Sequence, residues 1–106
     1  MPSAAREEEL AAWLRAQPVV LVDFHAHWCA PCRLLSPLVE RIAAKYAGRL
    51  PVARVDVDGF PAAAARYRVA SLPTLLLLRH GEPAARLTGL PAPEELVAWL
   101  TAHVGP

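Results

Sequence analysis

What this chain lacks narrows what it can be. It has two cysteines, Cys29 and Cys32, too few for a disulfide framework or for a four-thiolate zinc site. Lys45 is its one lysine against ten arginines, and the net charge is only +1. That balance gives no electrostatic case for nucleic acid or for an anionic membrane as partner. No window approaches the ~20 consecutive apolar residues that a membrane-crossing helix needs. The opening stretch Met1 to Glu9 is acidic where a secretory leader would be basic and then apolar, so the expectation is a cytoplasmic protein. Internal repeats, linkers and low-complexity segments are absent as well. With 106 residues, 55% of them hydrophobic and 20% charged, the chain reads as one folded domain over residues 1–106.

The chemistry in what remains concentrates in Trp28-Cys29-Ala30-Pro31-Cys32. A three-residue separation lets the two sulfurs reach disulfide distance across one turn. A helical pattern begins near Pro31, which puts Cys29 at a helix N-terminus, where free N–H groups and the helix dipole favour a thiolate. Arg33 adds a positive charge next door. Three other readings compete. His25 and His27 could complete a zinc set with the cysteines. A structural disulfide is the second, although so short a loop constrains little of the unfolded chain. A binding module with an incidental cysteine turn is the third. In a reducing compartment a closely spaced cysteine pair favours thiol–disulfide exchange over all of these.

Around the motif the periodicities alternate between helix and strand. Leu10, Trp13 and Leu14, behind Glu7 to Glu9, predict a first amphipathic helix ending before Pro18. Val19 to Phe24 predicts a strand buried on both faces, interrupted by Asp23. Leu35, Leu38, Val39, Ile42 and Tyr46 predict a helix that Pro37 should kink and Gly48 should end. Pro51 to Asp58 alternates as a strand protected by proline and charge, and Pro61 to Arg66 predicts a short helix. Thr74 to Leu78 is apolar throughout, as in a central strand. A turn at Arg79 to Glu82 leads to an antiparallel strand at Ala84 to Thr88. Pro93, Glu94 and Glu95 open a last helix that buries Leu96, Trp99 and Leu100. The order implies a βαβ unit followed by a hairpin, hence an α/β domain with a mixed sheet covered by helices on both faces.

These segments resemble the thioredoxin family. The residues that carry the likeness are Val22-Asp23-Phe24, Trp28-Cys29-Ala30-Pro31-Cys32-Arg33, Pro37, Val55-Asp56-Val57-Asp58, Pro73-Thr74, Gly81-Glu82 and Gly89. Typical members have glycine at the place of Ala30 and often tryptophan at the place of His25. The resemblance implies a thioredoxin fold with a four-stranded mixed central sheet flanked by helices, because the chain has no room before its first helix for the family's N-terminal strand. It also implies a protein-disulfide reductase without a bound cofactor or metal, fed by a thioredoxin-reductase-like electron donor and acting as a monomer.

Site roles follow from the motif and the resemblance together. Cys29 would attack as the cysteine nearer solvent and the helix end, and Cys32 would resolve the mixed disulfide. Trp28 would shield the sulfurs while Ala30 and Pro31 restrain the turn. The resemblance further implies that Asp23 is a buried proton acceptor and that Pro73 follows a cis bond. It implies that Trp28, Ala30, Pro31, Leu72, Pro73, Gly89 and Leu90 form an apolar docking surface for substrate chains. Arg33, Arg54 and His25 would tune the site, with Arg54 opposing the rise that burial imposes on the Asp23 pKa. A disulfide oxidant or isomerase using the same cysteines is the nearest rival to the reductase.

Overall fold

The computed structural model describes residues 6–106. Residues 1–5, on which the expectations of a leaderless start and a missing first strand rest, lie outside the described residues. In chain order the elements are α1 (Glu7–Ala16), β1 (Val20–His25), α2 (Ala30–Lys45), β2 (Val52–Asp56), α3 (Pro61–Arg66), β3 (Thr74–Arg79), β4 (Glu82–Thr88) and α4 (Pro93–Val104). Among the described residues the four strands form one sheet in the order β2-β1-β3-β4. β1 runs parallel to β2 and antiparallel to β3, and β3 runs antiparallel to β4. The mixed sheet expected from the residue pattern is therefore present, with β2 at one edge.

Alternation along β1 divides the core into two layers. Val20, Val22 and Phe24 pack with Leu10, Leu14, Ala63 and Tyr67 of the α1/α3 side, and Trp13 covers them in part. Leu21 turns the other way, onto Leu35, Val39 and Ile42 of α2 and Leu96 and Leu100 of α4. Asp23 and His25 share that second face. The strand therefore aims its carboxylate at the helix that carries the cysteines.

Three boundaries differ from expectation for local reasons. α2 begins at Ala30 with Cys29 as its N-cap, and Pro37 lies inside a helix that runs on to Lys45. β2 spans only Val52–Asp56: the Val57 N–H still donates to the His25 carbonyl at 2.9 Å, but Asp58 then folds back, its N–H donating to the Asp56 carboxylate at 2.9 Å. β4 starts two residues early, at Glu82, and includes Pro83. An edge strand tolerates that proline because its outer side has no neighbour, so a missing N–H there breaks no ladder bond, and the ladder shifts register beside it at Leu77/Leu78. The turn before β4 uses His80 at φ 50° and Gly81 at φ 81°, the left-handed pair that a two-residue hairpin requires.

Candidate redox site

The site is assembled where β1 ends and α2 begins. The Cys29 N–H donates to the Ala26 carbonyl at 3.1 Å, fixing the turn that delivers the cysteine to the helix start. Cys29 and Cys32 are joined in a disulfide, with Cα atoms 5.3 Å apart. The Cys29 sulfur accepts the Cys32 N–H at 3.3 Å, as an N-cap side chain does. On reduction the same donor and the end of a 16-residue helix would face a thiolate, which lowers the cost of its charge.

The two cysteines line different openings. Cys29 lines a groove of about 480 Å³ with Trp28, Ala30, Pro31, Val57, Val69, Ala70, Ser71 and Leu72. Cys32 lines a smaller recess of about 160 Å³ with His25, Ala26, His27, Arg33, Ser36 and Arg54. The expected difference in exposure between the cysteines is not found: Cys29 is 5% exposed and Cys32 3%. What separates them is the side chains each one meets, mostly apolar residues around Cys29 and two histidines, two arginines and a serine around Cys32.

Trp28 is 63% exposed and forms one wall of the Cys29 groove. Its indole N–H donates to Asp58 Oδ2 at 2.7 Å, which holds the ring upright from the end of β2. The Leu72–Pro73 bond is cis, the geometry implied by the family resemblance. Leu72 packs against Ala26, Cys29 and Cys32, and the Pro73 carbonyl accepts the Gly89 N–H at 2.9 Å. Four members of the expected docking surface, Trp28, Ala30, Pro31 and Leu72, meet in the groove. Pro73, Gly89 and Leu90 do not line it: Pro73 is buried, Gly89 is bonded to the Pro73 backbone and Leu90 stands exposed after β4. Val57, Val69, Ala70 and Ser71 take that place. Their only signal in the sequence was adjacency to Pro73 and to the end of β2.

Asp23 lies on the sheet face that α2 covers and is buried. Its Oδ2 accepts from Arg54 Nε at 3.2 Å, while Oδ1 has no hydrogen-bond partner. Burial pushes the Asp23 carboxyl above the ordinary carboxylate range; the Arg54 charge, the His25 charge and the Arg54 hydrogen bond pull it down and do not overcome burial. Arg54 also donates to the Ser36 hydroxyl. The Arg33 guanidinium donates to the His27 carbonyl at 2.6 Å, and Arg33 lines the Cys32 recess, not the Cys29 groove. His25 is half-buried in the Cys32 recess and His27 is exposed. Among the described residues no group of three or more His, Cys, Asp or Glu side chains is placed to hold a metal ion. No helix there is long and apolar enough to cross a membrane.

Comparison with known proteins meets this geometry. The Thioredoxin family model matches residues 3–102. Thioredoxins from Staphylococcus aureus, strains COL and MW2 among them, are 41% identical over 86 residues, covering 81% of this chain and 83% of theirs. A mutant thioredoxin from Halobacterium salinarum NRC-1 superposes with a TM-score of 0.79 at 35% identity, over 95% of this chain and 88% of that one. With a matching family model, close relatives and a disulfide at the start of α2, the chain belongs to the thioredoxin family and is a thiol–disulfide oxidoreductase that reduces protein disulfides.

Proposed function

We propose that Cys29 is the attacking cysteine and Cys32 the resolving one, in a cycle that needs no bound cofactor. The observation that carries this reading is the pair of unlike openings: Cys29 lines a groove walled mostly by apolar side chains, and Cys32 a recess walled by His25, His27, Arg33, Ser36 and Arg54, the last bonded to Asp23. A substrate segment would lie across Trp28, Ala30, Pro31 and Leu72, with the backbone next to cis-Pro73 available to pair like an added strand. Gly89 and Leu90 stand at the end of that strip and extend it.

The chemistry then balances in two displacements. The Cys29 thiolate attacks one substrate sulfur, forming a mixed disulfide and releasing the other substrate sulfur as a thiolate that takes a proton. The Cys32 thiol gives its proton to Asp23 and attacks the Cys29 sulfur. That step expels the second substrate thiolate and leaves the Cys29–Cys32 disulfide. Two electrons from a thioredoxin-reductase-like donor restore the dithiol. Asp23 suits its part because burial leaves it an unusually basic carboxylate with one oxygen unpartnered. Arg54 and His25 set its charge environment. Arg33 acts indirectly, by bracing the loop before the cysteines. The cycle belongs in the cytoplasm, in a monomer of one domain over residues 1–106.

Reduction of insulin by the full chain with dithiothreitol as electron source tests the reductase reading. Precipitation of the reduced B chain well above the dithiothreitol background is the expected result. No acceleration would leave a binding module. A redox titration against glutathione separates reductase from oxidant. The reference points are the potentials of two other proteins, about −270 mV for thioredoxin and about −120 mV for DsbA. A couple near the DsbA end would make this protein an oxidant.

A further inference from the structure

Ser36 stands four residues beyond Cys32 on α2, so the two side chains lie one above the other on the same helix face. Arg54, on β2, reaches both neighbouring elements: Nε donates to Asp23 Oδ2 on β1 at 3.2 Å, and Nη2 donates to Ser36 Oγ on α2. Its contact with Asp23 is a single hydrogen bond, not the two-point fork that would lock a guanidinium in place. The Arg54 side chain is 37% exposed, and a long side chain of that kind readily lifts its charged end into water. Among the described residues Ser36 is the only other side chain that holds it.

We propose that Ser36 is a positioning residue for the Cys32 half of the reaction: its hydroxyl tethers the Arg54 guanidinium against Asp23 and thereby sets how readily Asp23 takes the Cys32 proton. This deepens the cycle proposed above and rests on Asp23 being the acceptor.

The charges around Asp23 leave Arg54 in control. β1 supplies His25 on the same face. β2 supplies Arg54 and Asp56, whose carboxylate is occupied by the Asp58 N–H at 2.9 Å. α2 supplies Cys32 and Arg33, and the Arg33 guanidinium is held at the His27 carbonyl. His27 itself is exposed in the loop before the motif. β3, paired with Asp23 through Leu75, adds only an apolar side chain. Among the described residues Arg54 is thus the one permanent charge in direct contact with the carboxylate, and where it rests determines how easily that carboxyl ionises.

Ser36→Ala removes the tether and places a good helix former in a helix, so the fold is not at risk. The first readout is a carbon-13 NMR titration of the Asp23 carboxyl in the oxidised full chain. Its midpoint is expected to move to higher pH in Ser36→Ala and to return in Ser36→Thr, which restores the hydroxyl. The second is the pH profile of insulin reduction. Losing one hydrogen bond to a charged group should lower rates on the acid limb by about tenfold. In an Asp23→Asn background Ser36→Ala should leave that profile unchanged. An unmoved NMR midpoint overturns the tether. A moved midpoint with an unmoved rate profile overturns the role in the reaction. If Asp23→Asn alone also leaves the profile unmoved, the failure belongs to Asp23 as acceptor and not to Ser36.

Discussion

Replacing Asp23 by asparagine should stabilise the oxidised protein, and should do so far more at pH 8 than at pH 3.5. The carboxyl is buried against apolar neighbours, one oxygen has no partner, and Arg54 satisfies the other through a single contact. Burial dominates and raises its folded pKa. In the unfolded chain the same group titrates near the reference value of about 3.9. Between those two values the folded state binds more protons than the unfolded state, so stability falls as pH rises. The stability that the neutral acid contributes is complete below the unfolded pKa and is lost by the time pH has passed the folded one. At pH 3.5 acid and amide are both neutral and of equal size, so the substitution should be nearly silent. At pH 8 the wild-type carries a buried carboxylate with an unsatisfied oxygen, a cost of about 1–3 kcal/mol or more. Asparagine removes that charge, and its amide oxygen can still accept from Arg54. The measurement is a pair of denaturant titrations, with the midpoint compared between the two proteins at each pH. For a domain this small each kcal/mol corresponds to about 4–8 °C in Tm, so a thermal scan would read the same difference. Equal stabilisation at both pH values, or more at the acid end, would refute the reasoning and mean that the Arg54 pair holds the carboxyl below its unfolded pKa.

Local geometry sets three further outcomes. Ala30→Gly should shift the reduction potential by no more than tens of millivolts, since about 30 mV corresponds to 1.4 kcal/mol and one methyl at an exposed helix start is worth less; equilibration with glutathione checks it. Asp58→Ala should raise KM for a protein substrate about fivefold and leave kcat near its original value, because the groove wall at Trp28 loses its one side-chain hydrogen bond; steady-state insulin kinetics read the split. Gly81→Ala should cost about 1–3 kcal/mol in urea unfolding, because an added Cβ at φ 81° would lie 2.8 Å from Arg15 Cγ and 3.3 Å from its Cα. As its control, Gly48→Ala, where φ is 82° and nothing lies within 4 Å, should cost only about 1 kcal/mol.

The elements were legible wherever side-chain period met an unambiguous stop. Pro61 to Arg66 emerged with its expected boundaries, and Thr74 to Leu78 emerged as the buried central strand, one residue longer. β4 begins inside the segment read as a turn, at Glu82, and Pro83 is tolerated there by its edge position. The cysteine pair was readable because two residue types at one spacing carry the chemistry. The cis bond at Pro73 was not readable from the residues themselves, since trans is the commoner geometry; the family resemblance supplied it. Asp58 and Ser36 went unassigned for another reason. Each matters through one long-range hydrogen bond, to Trp28 30 residues away and to Arg54 18 residues away, which periodicity cannot announce. Val57, Val69, Ala70 and Ser71 were not singled out as groove residues in the sequence, because only the fold brings the β2 end and the loop before Pro73 beside Cys29.

The division of labour between the two cysteines is the claim on which the rest depends, and trapping tests it directly. The Cys32→Ser chain, reduced and then mixed with a disulfide-bonded protein substrate, should accumulate a stable one-to-one mixed disulfide. Mass spectrometry of its peptides should place the link on Cys29, while Cys29→Ser should form no such adduct and reduce no insulin. A trapped adduct on Cys32 in the Cys29→Ser chain, or sustained turnover by Cys32→Ser, would contradict the assignment.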